Sequence, residues 1–176
     1  TLNPRTQEGR KIVGELVKTA DVVVANLPPQ TLESMALDYE SLKTIKADII
    51  LTTNSAFGSG GPYSDRVGFD GIGQAMSGAM YLSGWPDQPQ KIYPPYVDFG
   101  TALYSALGTM AALMERDRTG KGCKVETSLL RTALSFNNPA LIEQATTQLN
   151  RVGTGNRGQT GAPVDTFKTE DGWILI

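Results

Sequence analysis

The sequence contains no histidine and a single cysteine, Cys123. Without an imidazole, catalytic devices of the Ser-His-Asp and Cys-His types are excluded. A zinc site is disfavoured, because histidine and cysteine are its usual ligands. One cysteine cannot form an internal disulfide, which suits a reducing compartment. We therefore expect a cytoplasmic protein without a bound metal.

The sequence also lacks a large excess of charge of one sign, and it lacks long apolar runs. The formal net charge of -2 at pH 7 argues against a nucleic-acid-binding surface. No apolar run reaches the about 18 residues of a transmembrane helix, and the first residues do not resemble a signal peptide. We expect neither a membrane nor a nucleic-acid partner. Because the sequence starts at Thr1 and stops within the strand-like run Trp173–Ile176, we expect a piece of a longer polypeptide.

Strand-like and helical patterns alternate along residues 1–150. Short runs at Val22–Val24, Ile49–Leu51 and Cys123–Thr127 predict strands, the first of the kind that a parallel sheet buries on both faces. Gly68–Tyr81 between them predicts one glycine-rich helix. The alternation predicts an α/β fold, a Rossmann-like and mainly parallel sheet flanked by helices.

The character of the sequence changes after residue 150. Residues 151–163 form a polar linker, and residues 164–176 predict a hairpin around an Asp-Gly turn that starts a second, small domain. The linker contains a G-x-G-x-x-G sequence from Gly153 to Gly158. A dinucleotide site needs a strand before this motif and a helix after it, and here a helix precedes it while Pro163 follows.

One carboxylate stands at the start of the longest uncharged stretch. Asp98 follows Pro94-Pro95 and precedes Ala102–Met114, which has no charged residue. The helical spacing of its leucines and methionines predicts a core helix that buries its first turn and Asp98. These side chains are Leu103, Leu107, Met110 and Met114. Asp98 has two compatible roles, an N-cap or a nucleophile that is ionised at neutral pH and needs no histidine.

Other polar residues lie where a parallel sheet binds ligands. Asn26 and the Ser55–Tyr63 loop follow two predicted strands, and ligands bind outside the carboxyl ends of such strands. Asp70 is either the N-cap of the helix that begins there or a second carboxylate that pairs with Asp98.

Many short motifs occur in an order found in one family. They include Ala20–Asn26, Phe57–Tyr63, Gly68-Phe69-Asp70, Asp98 with its helix, and Arg118–Gly122. Nearly the whole chain resembles the large domain of the family III CoA-transferases, the group of formyl-CoA and carnitine-CoA transferases and α-methylacyl-CoA racemase.

The resemblance implies a function and a set of residues. Asp98 would attack an acyl-CoA thioester, and coenzyme A would pass to a free carboxylate through an aspartyl-acyl anhydride and an aspartyl-CoA thioester. Contacts to coenzyme A would come from Asn26, Leu27, Met35 and Arg66. The family also implies a homodimer of interlocked chains, with acyl-CoA and small carboxylates as substrates.

Departures from the family pattern leave two alternatives. The racemase branch has a histidine where this chain has Phe69, and because a racemase needs that base, the transferase is favoured. Many members have an arginine where this chain has Ser34, and Pro28-Pro29-Gln30 replaces the usual Arg-Pro-Gly. With its cut ends, the chain could also be a non-catalytic fragment that only dimerises or binds a partner.

Overall fold

The computed structural model describes residues 1–176 and contains eight helices and five strands. The helices are α1 Gln7–Thr19, α2 Pro29–Ser34, α3 Tyr39–Ile45, α4 Asp70–Met76, α5 Ala79–Ser83, α6 Tyr96–Thr119, α7 Leu129–Phe136 and α8 Asn138–Thr147. The strands are β1 Val22–Ala25, β2 Ile50–Ser55, β3 Lys124–Ser128, β4 Thr166–Lys168 and β5 Trp173–Leu175.

The first three strands form a parallel sheet in the order β1-β2-β3. Central β2 pairs Ile50 with Val22 of β1 and Leu51 with Lys124 of β3. The predicted α/β fold with a parallel sheet flanked by helices is confirmed. The expectation that β1 is buried on both faces is wrong, because β1 is an edge strand and the Val24 side chain is 66% exposed.

A small apolar core lies between the sheet and α1 and α3. Val17 of α1, Leu42 of α3, and Ile49 and Leu51 beside or within β2 are almost fully buried together. Local sequence sets the helix ends here, since Thr6 caps α1 by accepting the Gly9 N–H at 3.0 Å.

Helix α6 contacts the sheet with the side opposite to the one predicted. The exposed fractions of its large apolar residues run from 58% to 72%: Leu103, Leu107, Met110 and Met114. The buried side carries Thr101, whose hydroxyl contacts Thr132 of α7, and Ser105, whose hydroxyl contacts polar groups of the sheet. A Cβ atom at Gly108 would lie 2.8 Å from Val125 of β3, so this side has room only for small residues. The predicted apolar core face, and the burial of Asp98 with it, are therefore wrong.

By length and composition alone, α6 would also be able to cross a membrane. In this fold the helix packs against β2 and β3 along the side that carries the hydroxyl groups.

The single helix predicted for Gly68–Tyr81 is two helices, α4 and α5. Gly78 separates them with a φ of +81°, a left-handed conformation that glycine adopts without strain. In α4, a Cβ atom at Gly73 would lie 2.8 Å from Cγ1 of the fully buried Val97. Gly73 therefore lets α4 approach the start of α6.

The last part of the chain contains the expected hairpin. Strands β4 and β5 pair antiparallel, Thr166 with Leu175 and Lys168 with Trp173. The division into a domain of residues 1–150, a linker of residues 151–163 and a second domain from residue 164 stays a prediction.

The glycines of the G-x-G-x-x-G sequence have a packing role. A Cβ atom at Gly153 would lie 2.3 Å from the carbonyl oxygen of Gly84. Gly155 has a φ of +64°, and a Cβ atom there would lie 2.5 Å from the ring of Trp85. No helix starts within the motif, so the context of a dinucleotide site is missing from the structure as well.

The close approach of α4 and α6 can be tested with Gly73→Ala. The added methyl group would press on Val97, and such overpacking costs about 1–3 kcal/mol, more than the helix propensity that alanine gains. We expect a lower free energy of unfolding in urea.

Gly14→Ala in α1 is the matched control for Gly73→Ala. The nearest atom to a Cβ there is Cδ1 of Ile45 at 3.9 Å, so only the propensity gain of about 1 kcal/mol remains. Equal stabilisation by both substitutions would contradict the close packing at Gly73.

Candidate active site

A cavity of about 290 Å³ opens at the carboxyl edge of the parallel sheet. The ends of β1 and β2, the loop after β2 and the first turns of α6 contribute to its wall. The polar residues of the wall are Asn26, Asn54, Ser55, Asp98 and Thr101. Asn26 and Asp98, which were selected separately from the sequence, thus line one cavity.

Asp98 lies in the first turn of α6 as an exposed residue. It is not the N-cap, since that position is Pro95, whose side chain offers no acceptor. Partial burial raises the pKa of the Asp98 carboxyl, the negative charge of Asp70 raises it further, and the positive charge of Lys91 opposes both. No hydrogen bond contributes to this pKa shift. The Asp98 carboxylate is therefore an unpaired group at a cavity wall.

Asp70 performs the capping that was expected of Asp98. Its Oδ2 accepts the backbone N–H of Val97 at 2.9 Å and that of Asp98 at 3.3 Å. The prediction that Asp70 caps the helix that it begins is wrong, because α4 has no side-chain cap. No local sequence pattern indicates this role, because the two partners lie 27 and 28 residues away.

Hydroxyl groups tie the first turns of α6 to the neighbouring elements. Oγ of Ser105 lies 2.5 Å from Oδ1 of Asn54 in β2 and 2.7 Å from Oγ1 of Thr127 in β3. Oγ1 of Thr101 lies 2.9 Å from Oγ1 of Thr132 in α7. These contacts fix the rotation of α6 and hence the direction in which Asp98 points. Sequence reasoning missed Ser105 and Thr127, which look like ordinary surface residues.

Glu126 of β3 anchors the loop that follows β2. Its carboxylate accepts the N–H of Ser59 at 3.0 Å and the Ser59 hydroxyl at 2.6 Å, and it forms ion pairs with Lys124 at 2.7 Å and Arg131 at 3.2 Å. Partial burial would raise the pKa of Glu126, but the hydrogen bonds from Lys124 and Ser59 outweigh it and lower the pKa to about 2. The loop is thus fixed beside the cavity.

The other predicted contacts to coenzyme A are not in the cavity of Asp98. Leu27 lines a separate cavity of about 60 Å³. Met35 is half-buried at the end of α2, and the Arg66 guanidinium lies 4.4 Å from the centre of the Tyr63 ring. Only Asn26 of the four shares a wall with Asp98. Their contact with coenzyme A stays a prediction.

The sequence model of CoA-transferase family III matches residues 1–176. The chain belongs to this family. Succinyl-CoA--D-citramalate CoA-transferase of Chloroflexus aurantiacus is 36% identical over 178 residues, which cover 100% of this chain and 44% of that protein. Succinate--glutarate CoA-transferase of Agrobacterium fabrum is 34% identical, with 98% of this chain and 43% of that protein covered.

The fold of this family III chain also matches solved structures. A CAIB/BAIF family protein from Brucella suis superposes with a TM-score of 0.90 at 37% identity, covering 100% of this chain and 47% of that one. The family III chain therefore spans less than half the length of the relatives and structures that it resembles.

The anchoring of the loop by Glu126 predicts a pH-dependent effect of Glu126→Gln. The pKa of this carboxyl is about 2 in the folded protein and 4.5 without its partners, so the carboxylate contributes stability above about pH 4.5 that is lost as pH falls towards 2. We expect Glu126→Gln to lower the free energy of unfolding by about 1–3 kcal/mol at pH 7, and the deficit to shrink below pH 4.5. Urea unfolding at a series of pH values measures both.

Glu115→Gln is the control for Glu126→Gln, since Glu115 pairs with Arg118 at 2.7 Å and both side chains are more than half exposed. Such a pair contributes about 0–1 kcal/mol. A deficit of Glu126→Gln that stayed constant from about pH 7 to about pH 2 would contradict the ionised anchor.

Proposed function

We propose that the protein transfers coenzyme A from an acyl-CoA to a free carboxylic acid, with the Asp98 carboxylate as nucleophile. The observation that carries this proposal is an Asp98 carboxylate without a hydrogen-bond donor at the wall of a cavity shared with Asn26. Membership of CoA-transferase family III supports coenzyme A transfer as the general activity.

In the first step, one oxygen of the Asp98 carboxylate attacks the carbonyl carbon of the acyl-CoA thioester. A carbon–oxygen bond forms, the carbon–sulfur bond breaks, and coenzyme A leaves as a thiolate. The product is an anhydride between Asp98 and the acyl group. No general base is needed, because an ionised carboxylate has no proton to lose.

In the second step, the thiolate attacks the side-chain carbonyl carbon of Asp98 and expels the donor acid as a carboxylate. This leaves coenzyme A on Asp98 as a thioester. An acceptor carboxylate then attacks the aspartyl-CoA thioester, which gives a new anhydride with Asp98 and releases the thiolate. The thiolate attacks the acceptor's acyl carbon in this anhydride, so the new acyl-CoA leaves and the Asp98 carboxylate is regenerated. Each step exchanges an acyl carbon–sulfur or carbon–oxygen bond for another acyl bond, so the reaction requires no oxidant, reductant or metal.

The cavity has the size for the reacting end of such a substrate. A volume of about 290 Å³ lies just below the usual range for ligand pockets, about 300–1,000 Å³. An acyl thioester fits this space, while the nucleotide of coenzyme A would extend outside it. We also propose a cytoplasmic location, because the single cysteine suits a reducing compartment. On the family resemblance alone, we propose a homodimer with coenzyme A contacts at Asn26, Leu27, Met35 and Arg66.

The structure offers nothing in favour of the racemase. Phe69, which by the family resemblance replaces the histidine of the racemases, lines the cavity, and its side chain cannot exchange a proton.

The nucleophile can be trapped with hydroxylamine and succinyl-CoA. Hydroxylamine attacks the anhydride or the thioester on Asp98 and leaves a hydroxamate, which mass spectrometry of the peptide locates. We expect the label on Asp98 and a fall of coenzyme A transfer by about 10⁴-fold or more in Asp98→Ala, because the covalent route is then closed.

Asp117→Ala is the control for Asp98→Ala, since it removes a carboxylate near the other end of the same helix, away from the cavity wall. We expect wild-type labelling and activity from it. Labelling at another residue, or release of coenzyme A by Asp98→Ala at the wild-type rate, would refute the proposed role of Asp98.

A further inference from the structure

We propose that Asp70 is a positioning residue for Asp98, because its buried carboxylate holds the backbone from which the reactive carboxylate projects. This inference rests on the proposed function of Asp98. Asp70 itself is 5% exposed, lies outside the cavity wall and is not placed to contact the substrate.

The first N–H groups of α6 need acceptors from outside the helix. A helix leaves these groups without partners of its own, and Pro95 at the N-cap has no acceptor side chain. Tyr96 N–H donates to the Pro94 carbonyl at 2.8 Å. The N–H groups of Val97 and Asp98 both donate to Oδ2 of Asp70. Asp70 is therefore the cap of α6, supplied by another helix.

The neighbours that contact the Asp70 carboxylate are all donors. Oδ1 accepts from Nε2 of Gln74 at 2.5 Å, and Nζ of Lys91 lies 3.7 Å from the same oxygen. The amide of Gln74 cannot flip freely, because its Oε1 accepts the Ile92 N–H at 2.9 Å and its Nε2 donates to the Ile92 carbonyl at 3.3 Å. Only a group that accepts with both oxygens fits this position.

An asparagine in place of Asp70 would break this pattern. If its oxygen faced α6, its NH₂ group would face the NH₂ group of Gln74, and if it flipped, the NH₂ group would face the N–H of Val97. A buried donor against a donor leaves both unpaired. The isosteric Asp70→Asn substitution therefore tests the carboxylate with little change of volume.

Charges of both signs face Asp98. Asp70 faces it from α4, Lys91 from the loop before α6, and Tyr96 is the neighbouring titratable group on α6 itself. The charge of Asp70 raises the pKa of Asp98 and that of Lys91 lowers it. Loss of each charge should therefore move the Asp98 titration in opposite directions.

The experiment combines kinetics with a titration of Asp98 by ¹³C NMR of labelled aspartate, with the signal assigned by its loss in Asp98→Ala. We expect Asp70→Asn to lower the pKa of Asp98 and Lys91→Met to raise it. The acid limb of the pH–rate profile should move in the same directions. In Asp70→Asn, kcat should fall about 10- to 100-fold with KM little changed, because a misplaced nucleophile slows the chemical step.

The double variant Asp70→Asn/Gln74→Glu exchanges the amide and the carboxylate. The introduced glutamate would accept from the introduced asparagine amide and from the Ile92 N–H, but it would lose the donation that Gln74 makes to the Ile92 carbonyl, so the pairing of donors and acceptors is restored only in part. We expect the double variant to recover part of the lost kcat and part of the pKa of Asp98. Thr6→Ala, which removes the cap of α1, is the control that should lower stability without moving either quantity.

The outcomes separate this inference from the proposed function. Wild-type kcat and an unmoved Asp98 titration in Asp70→Asn would overturn the positioning role, even if hydroxylamine labels Asp98. If Asp98 is never labelled, the proposed function fails, while the NMR titration still tests whether Asp70 acts on Asp98. If Asp70→Asn does not fold, the double variant decides: partial recovery of kcat supports the inference, and a folded double variant without activity overturns it.

Discussion

The contact between α6 and the parallel sheet determines the geometry of the site. Thr101, Ser105 and Thr109 stand four residues apart on one side of α6 and contact hydroxyl or amide groups of α7, β2 and β3 at 2.5–2.9 Å. Hydrogen bonds are directional, so these contacts fix the rotation of the helix about its axis. A helix rotated by one position would point Asp98 away from the end of β1.

Local patterns predicted the elements better than they predicted what each element faces. The strands and most helices follow from β-branched runs, periodicity and caps, and their alternation was enough for the α/β fold. The apolar spacing of Leu103 and Leu107 correctly indicated an apolar side of α6, but spacing cannot tell what covers that side. No element of this chain covers it, and the relatives are more than twice as long as the matched region.

The residues of the candidate site also differ in how far the sequence could predict their positions and roles. Asn26 and the Ser55–Tyr63 loop could be placed together because the carboxyl ends of parallel strands meet at one edge of the sheet, a rule that needs only the order of the elements. That Asp98 lines the same cavity as Asn26 followed from the family resemblance and not from this rule. The roles of Asp70 and Glu126 could not be predicted, because each depends on contacts across 27 or more residues. The contact of Asp70 also depends on how closely α4 approaches α6, which Gly73 permits.

Two aspartates near the same helix end have opposite surroundings, and this difference suits them to different roles. Asp70 takes the N–H groups, the amide and the ammonium group that would stabilise a carboxylate. Asp98 receives no hydrogen bond from them, and its partial burial and the charge of Asp70 disfavour its ionised form and outweigh the opposing charge of Lys91. A carboxylate whose charge is poorly stabilised is more basic and a better nucleophile, and under the proposed chemistry it must compete with a departing thiolate. Concentrating the donors on Asp70 thus holds the backbone firmly while it leaves the side chain of Asp98 free for the proposed attack.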